Sequence, residues 1–170
     1  MHKDVSFTEP PRRRVGALGM IRNEEGEVLL VRKNYGDYKW NLPGGSAEGD
    51  EAPYEALQRE IHEETGLNVR STNLLLTDYV RRNDETGSAE GINFVWDCGT
   101  VPNGIQIVLP QPQEGEEPEL TDFKFVKVSK LEAYTTQLTA RRIHAAFAVL
   151  NDSRRFPAYL ENGWSTPEPR

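Results

Sequence analysis

The segment from Gly45 to Leu67 places acidic residues at fixed spacing within a pattern typical of a turn followed by a helix. Glycines follow Pro43, which indicates a tight turn. Asp50 can cap a helix start, Pro53 is tolerated in the first helical turn, and Gly66 suits a left-handed helix end. The predicted helix carries an apolar stripe that should face a core, formed by Tyr54, Leu57 and Ile61.

Three carboxylates share one face of this predicted helix, because Glu60, Glu63 and Glu64 stand at i, i+3 and i+4. Their mutual repulsion costs roughly 0.2–0.5 kcal/mol per pair, which a purely structural role does not require. A hard cation such as Mg²⁺ takes oxygen ligands and is often shared between carboxylates and substrate phosphates. The alternative is a solvated acidic helix face, which is the usual explanation of a charge run.

The spacing over the whole segment weakens that alternative. It matches the pattern G-x5-E-x7-R-E-U-x-E-E-x-G-U, with U apolar, at Gly45, Glu51, Arg59, Glu60, Ile61, Glu63, Glu64, Gly66 and Leu67. The chain therefore resembles the Nudix hydrolases, which cleave a nucleoside diphosphate linked to another group, and we call Gly45–Leu67 the Nudix box. The resemblance implies an α/β fold, specifically an α/β/α sandwich with a mixed β-sheet, and a Mg²⁺ cofactor, with Mn²⁺ as the alternative.

The resemblance also implies roles for individual residues. The metal ligands would be Glu60, Glu63 and Glu64, together with the backbone carbonyl of Gly44. Glu63 is our leading candidate for the general base that activates water. A loop near Gly44 would bend sharply onto the helix, since glycine permits close approach of a ligand and backbone conformations closed to other residues. An ordinary Pro-Gly turn is the simpler alternative for this loop.

Arg59 would position a neighbouring carboxylate, because its planar guanidinium offers several donors. An exposed helix arginine is the simpler interpretation. Glu51 is either an acid at the helix start or the partner of Arg59, and we count both residues among the catalytic candidates. His62 falls outside the acidic and apolar faces and is expected to be exposed and not catalytic.

Further candidates lie outside the box. Family members recruit an acid from a later loop, and Glu116 and Glu117 lie in the corresponding region, although a solvated loop explains them equally well. Arg32 and Lys33 can reach substrate phosphate from a strand end, or form a surface pair. Aromatic residues that can stack on a base lie nearby, at Tyr35, Tyr38 and Trp40, although core packing is the better explanation for Trp40.

Composition limits the class of protein. A chain of 170 residues suits one domain with its own core. Its net charge of −7 argues against a general nucleic-acid binder. The single cysteine, Cys98, excludes an intramolecular disulfide and is expected to be buried, and neither a secretory signal nor a membrane span is visible in the sequence. We expect a cytoplasmic protein with a small nucleotide substrate, no nucleic-acid or membrane partner, and homodimer formation as an open alternative.

The order of predicted elements supports one domain. Residues 1–13 are expected to be a flexible tail, residues 14–157 the domain, and residues 158–170 a second tail, with Tyr159, Leu160 and Trp164 able to pack on the domain. The patterns predict strands at 15–21, 28–31, 68–80, 92–101 and 123–128, a short strand at 105–108, and a helix at 138–150.

The substrate is not determined by the box. The downstream residues typical of dinucleoside polyphosphate and ADP-ribose hydrolases are missing near Arg81–Glu85, and the signature of the NADH hydrolases is missing too. This favours nucleoside triphosphates, damaged nucleotides and nucleotide sugars, and excludes none of the other classes. A non-catalytic nucleotide-binding or regulatory module is the alternative, but such proteins commonly lose box carboxylates. A diphosphate isomerase is a third class, and Cys98 does not lie in the sequence context of its cysteine.

Overall fold

The computed structural model describes residues 12–34, 40–71, 73–85, 87–112, 114–152 and 157–165. The described residues form strands β1 to β8 and helices α1 and α2. In chain order these are β1 Arg14–Asn23, β2 Val28–Lys33, β3 Trp40–Asn41, β4 Gly44–Ser46, α1 Pro53–Thr65, β5 Asn73–Val80, β6 Gly91–Val101, β7 Leu120–Val126, a 3-10 helix Val128–Ala133, α2 Gln137–Asn151 and β8 Ala158–Glu161.

The strands form one mixed sheet in the order β3-β2-β1-β6-β5-β8, with β4 paired to β1 and β7 paired to β2. β1 pairs in parallel with β6, and β5 pairs in parallel with β8, whereas the other pairs are antiparallel. The predicted strands at 15–21 and 28–31 correspond to β1 and β2, which pair as an antiparallel hairpin with Arg22 opposite Val28. β1 therefore occupies a central place, between the helix-bearing turn and the long strand β6.

Apolar side chains pack on both faces of the sheet. On one face α1 contributes Ala56, Leu57 and Ile61, which pack with Ala17, Ile21, Leu29 and Cys98. On the other face α2 contributes Ala140, Ile143 and Ala146, which pack with Met20, Leu30, Leu76 and Val95. The predicted α/β/α sandwich with a mixed sheet is confirmed. Burial raises the pKa of the Cys98 thiol to about 12, in keeping with a packing role.

The start of α1 differs from the prediction. Asp50 does not cap the helix: it adopts a φ of 65°, and Ala52 precedes the first helical residue, Pro53. The Glu55 carboxylate instead accepts a hydrogen bond from the Ala52 N–H (3.0 Å). Proline favours this start, because an N–H at the first helical position would have no partner within the helix and proline has none. The predicted end is confirmed, since Gly66 has a left-handed φ of 72°.

Two further predictions about the chain are corrected. Residues 105–108 form no strand; the Val108 N–H donates to the Thr65 carbonyl (2.9 Å) and Ile107 packs near α1. The expected tail at 158–170 begins with strand β8, in which Leu160 is buried. The domain therefore extends beyond residue 157, because β8 covers the edge of β5. Of the expected N-terminal tail, residues 1–11 lie outside the described part, and Arg13 pairs with Glu90 (2.7 Å).

Within the described ranges, neither helix has the length and apolar character needed to cross a membrane.

Candidate functional site

The turn that precedes α1 is held against β1. Gly44 and Gly45 pair with Leu18 and Ala17 of β1, and the Gly19 N–H donates to the Pro43 carbonyl (2.9 Å). Gly44 has a φ of 130°, and a Cβ atom there would lie 2.2 Å from the Ala17 carbonyl oxygen. Only glycine fits this position, so the sequence brings the start of the box directly onto the sheet.

Glu64 is the most buried carboxylate of the box, with a side chain that is 5% exposed. Its Oε2 accepts a hydrogen bond from the Gly44 N–H (2.7 Å), which ties the far end of α1 to the turn. Its Oε1 is buried without a hydrogen bond among the described residues and lies 3.6 Å from Lys33 Nζ. Burial raises the pKa of Glu64 to about 7, against the opposing effects of Lys33 and the Gly44 N–H.

Glu60 lies beside the same turn. A Cβ atom on Gly45 would lie 2.3–2.4 Å from the three atoms of the Glu60 carboxyl group, so this group packs against the bare α-carbon of Gly45. Burial also raises the pKa of Glu60, although the hydrogen bond from Arg59 lowers it. Two carboxyl groups, those of Glu60 and Glu64, are therefore held at the turn in surroundings that disfavour their negative charge.

Arg59 joins the start of the box to the carboxylate face. Its Nε and Nη2 donate to both oxygens of Glu51 (2.8 and 2.9 Å). Its Nη1 donates to Glu60 (3.0 Å) and to Glu63 (3.1 Å). The pKa of Glu51 is lowered to about 2, mainly by the hydrogen bonds from Arg59 and then by the hydrogen bond from the Glu48 N–H. Of the two interpretations of Glu51, the structure therefore supports the partner of Arg59.

Glu63 differs from the other two predicted ligands because its side chain is 56% exposed. Its recorded contact among the described residues is the one with Arg59, and no main-chain atom holds it in place. Glu63 is therefore the most exposed of the three carboxylates. His62 is exposed on the neighbouring face, as expected.

The residues at the turn suit a divalent cation. No three His, Cys, Asp or Glu side chains within the described ranges converge into a ready-made metal cluster. Yet Glu64 offers a buried oxygen without a hydrogen bond, and Glu60 is partly buried nearby. The positively charged side chain of Lys33 lies beside Glu64. Oxygen ligands of this kind fit Mg²⁺, which keeps several waters and needs few protein ligands.

A cavity of about 730 Å³ opens beside the turn. Its lining includes Gly44, Gly45 and Glu60 from the box, and Lys33 and Trp40 from the neighbouring strands. It also includes residues of β6 and of α2, which lie on the far side of β1 from the turn. The volume lies within the range of pockets that bind nucleotide-sized ligands.

The predicted substrate contacts divide between the cavity and its surroundings. Lys33 lines the cavity, whereas Arg32 donates from Nε to Thr121 Oγ1 (2.9 Å) and lies 5.7 Å from the centre of the Trp40 ring. Trp40 lines the cavity and packs edge-on against Tyr134 at a ring distance of 6.2 Å. Tyr38 and Tyr35 lie outside the described residues.

The two residues predicted as candidates for a later acid lie apart from the cavity. Glu116 and Glu117 are exposed and do not line the cavity, whereas Glu119 does. The Glu119 carbonyl accepts a hydrogen bond from the Asn34 N–H (2.8 Å), which fixes it beside the end of β2. The negative charge of Glu119 also raises the pKa of Glu64, although burial is the largest cause of the shift. The signal in the sequence is its position directly before β7, whose first residue, Leu120, pairs with Lys33.

Comparison with known proteins identifies the family. A model of the NUDIX domain matches residues 10–147, which contain the box, the turn and strands β1 to β7. The chain belongs to the Nudix family. A MutT-like protein of Streptomyces ambofaciens is 39% identical over 69 residues, which cover 41% of this chain and 44% of that protein. An RNA pyrophosphohydrolase of Hamiltonella defensa is 40% identical over 60 residues, which cover 35% of this chain and 36% of that protein.

The Nudix assignment agrees with a solved structure. The crystal structure of a MutT protein from Methanosarcina mazei Go1 superposes with a TM-score of 0.66 and 27% identity, covering 83% of this chain and 96% of that one. The match to these two curated relatives spans less than half of their length.

Proposed function

We propose that this Nudix protein is a divalent-cation-dependent pyrophosphohydrolase that cleaves the diphosphate of a nucleoside diphosphate linked to another group. The observation that carries the proposal is the pair of carboxyl groups at the Gly44–Gly45 turn, buried Glu64 and partly buried Glu60, beside a cavity of about 730 Å³. The intact box and the pyrophosphohydrolase and MutT relatives support it.

The cation would be Mg²⁺, with Mn²⁺ as the alternative, held by Glu60, Glu63 and Glu64 with the Gly44 carbonyl. When bound, such a cation offsets the charge of the diphosphate and lowers the pKa of a water molecule. Arg59 holds Glu60 and Glu63 by hydrogen bonds and is itself fixed by Glu51, so it positions the ligands. Glu63, which is exposed and can reorient, accepts the proton of the attacking water at its carboxylate oxygen.

The first test is a panel of nucleoside triphosphates, oxidised nucleotides and nucleotide sugars, incubated with Mg²⁺, with Mn²⁺ and with a chelator. We expect metal-dependent release of products from at least one class. Glu60→Gln and Glu63→Gln should lower kcat/KM by at least about 100-fold, as loss of a positioned charge in phosphoryl chemistry does. Glu55→Gln is the matched control, because Glu55 lies on the exposed side of the same helix.

Two results would contradict the proposal. One is absence of turnover across the panel; tight nucleotide binding without turnover would then identify a binding module. The other is wild-type kcat/KM in both Glu60→Gln and Glu63→Gln.

The position of Glu119 in the cavity makes it our candidate for the later acid. We expect Glu119→Gln to lower kcat at least about 10-fold, because a carboxylate near the substrate contributes charge or proton transfer. Glu116→Gln and Glu117→Gln serve as matched controls, since both residues are exposed outside the cavity lining. A loss of kcat in either control, with none in Glu119→Gln, would instead support Glu116 or Glu117 as the later acid.

A further inference from the structure

The two ends of the cavity differ in charge. The end nearest the box, the box end, is lined by Glu60 and Glu119 together with Lys33. The opposite end, which we call the arginine end, is lined by Arg14, Arg81, Asn93 and Arg142. Glu60 and Glu119 are the acidic residues of the described lining. At the arginine end, Asp78 pairs with Arg142 and Glu161 pairs with Arg81, but neither of these carboxylates lines the cavity.

The register of β1 separates the two ends. Leu18 lies opposite Gly44 of the turn, Gly16 lies beside Asn93, and Arg14 lies beside Gly91. Arg14 is four residues from Leu18, which corresponds to about 13 Å along an extended strand. A diphosphate bound at the box end does not extend over this distance, so another part of the substrate must fill the arginine end.

Arg142 is fixed at the arginine end by a buried ion pair. Its Nε and Nη2 both donate to Asp78 Oδ2 (2.9 and 2.7 Å), and the Gly163 N–H donates to Asp78 Oδ1 (3.0 Å). Burial lowers the pKa of Arg142, and the nearby positive charge of Arg14 lowers it further, against the effect of Asp78. Asp78 thus offsets one guanidinium, while Arg14 makes no ion pair within the described part of the chain and adds a second positive charge.

Asn93 places a polar group at the wall of the same cavity. Its side chain is 5% exposed and lines the cavity. It packs on Gly16, where a Cβ atom would lie 2.3 Å from Asn93 Oδ1. The amide group of Asn93 is therefore positioned to donate a hydrogen bond to a molecule bound in the cavity.

We propose that the arginine end binds a second anionic group of the substrate, a phosphate or a carboxylate beside Arg14, about 13 Å along β1 from the residue opposite Gly44. Arg14 and Arg142 provide the guanidinium groups, whose geometry matches such anions, and Asn93 donates a hydrogen bond. The first turn of α2 lines the same cavity at Thr136 and Thr139, and its partial positive charge acts in the same direction. This inference rests on the proposed function for its identification of the cavity as the substrate site.

Pairs of compounds that differ by one anionic group test the arginine end. NAD⁺ and NADP⁺ differ by a phosphate, and UDP-glucose and UDP-glucuronate differ by a carboxylate. Affinities are measured by calorimetry on the full chain with Ca²⁺ in place of Mg²⁺, so that the measurement reports binding. We expect the charged member of one pair to bind at least about 10-fold more tightly, since guanidinium groups form charge-assisted hydrogen bonds with phosphate and carboxylate groups.

The preference for the charged compound should disappear in Arg14→Gln and persist in Arg13→Gln. Arg13 is the matched control, because it pairs with Glu90 and does not line the cavity. The pair that shows the preference identifies phosphate or carboxylate as the ligand. Equal affinities within both pairs, absence of binding by all four compounds, or a preference that survives in Arg14→Gln would each overturn the inference. Failure of the proposed function would appear separately, as the charge preference without Mg²⁺-dependent turnover.

Discussion

The box carboxylates have the same chemical type but different surroundings. Glu51 is held ionised by Arg59, Glu64 is buried against the turn, and Glu63 is exposed. The sequence predicted which of these residues share a helix face, because that depends only on spacing. It did not predict their burial, which depends on the contact of α1 with the turn and β1. The Arg59–Glu51 pair remained one of two alternatives for the same reason.

The burial of Glu64 predicts how stability changes with pH in the absence of metal. Its pKa of about 7 in the folded protein exceeds the ordinary value of 4.5. Between these pH values the folded state binds more protons than the unfolded state, so stability falls as the pH rises through this window, by up to roughly 3 kcal/mol. Urea unfolding in a chelator from pH 4.5 to 8 measures this slope.

Glu64→Gln should reduce the pH slope, because the variant has no group at this position that titrates in the window. Glu55→Gln should retain it. Added Mg²⁺ should stabilise the wild type more at pH 8 than at pH 5, since protons compete with the cation for the carboxylates. Equal slopes in the wild type and Glu64→Gln would show that Glu64 is not the group responsible.

At the scale of elements, the turn and α1 act as one unit. The turn is bound to β1 by strand pairing, and Glu64 binds α1 to the turn. Glycine spacing, the proline and the apolar stripe predicted this unit well, because each reflects local geometry. The cap was predicted wrongly because Asp50 and Ala52 are both compatible with a helix start, and Pro53 decides between them.

Gly45 tests whether the packing of this unit is needed for activity. In Gly45→Ala the new methyl group would lie 2.3–2.4 Å from the Glu60 carboxyl group, which must move. We expect kcat/KM to fall at least about 10-fold, because small misplacements of reacting groups are costly, while the melting temperature changes by only a few degrees. Gly49→Ala is the matched control, since a Cβ atom there would meet nothing within 4 Å. Wild-type kcat/KM in Gly45→Ala would contradict this account.

At the scale of the whole molecule, the pairing of strands that are distant in the sequence determines the features that the sequence did not predict. The position of Glu119 follows from the pairing of β7 with β2, and the arginine end follows from the parallel pairing of β1 with β6. No local pattern encodes these pairings. The strand β8 was missed for a related reason: it has four residues, and its partner β5 lies far away in the sequence.

The role of β8 in stability can be tested at two adjacent residues. Leu160 is 1% exposed and Tyr159 is 56% exposed. Leu160→Ala should lower the free energy of unfolding by roughly 2–5 kcal/mol, as truncation of a buried leucine does. Tyr159→Ala should change it by only about 0.5 kcal/mol, the usual scale at exposed positions. Similar losses in the two variants, measured by urea unfolding, would mean that β8 is not packed as described.

The hydrogen bond from the Gly163 amide to Asp78 gives the end of the domain an unexpected property. Amide protons outside the regular strands and helices usually exchange rapidly with solvent through local opening. Here the acceptor is fully buried and is also bound to Arg142 of α2. We therefore expect slow exchange at Gly163, because opening this hydrogen bond leaves a carboxylate oxygen of buried Asp78 without its partner.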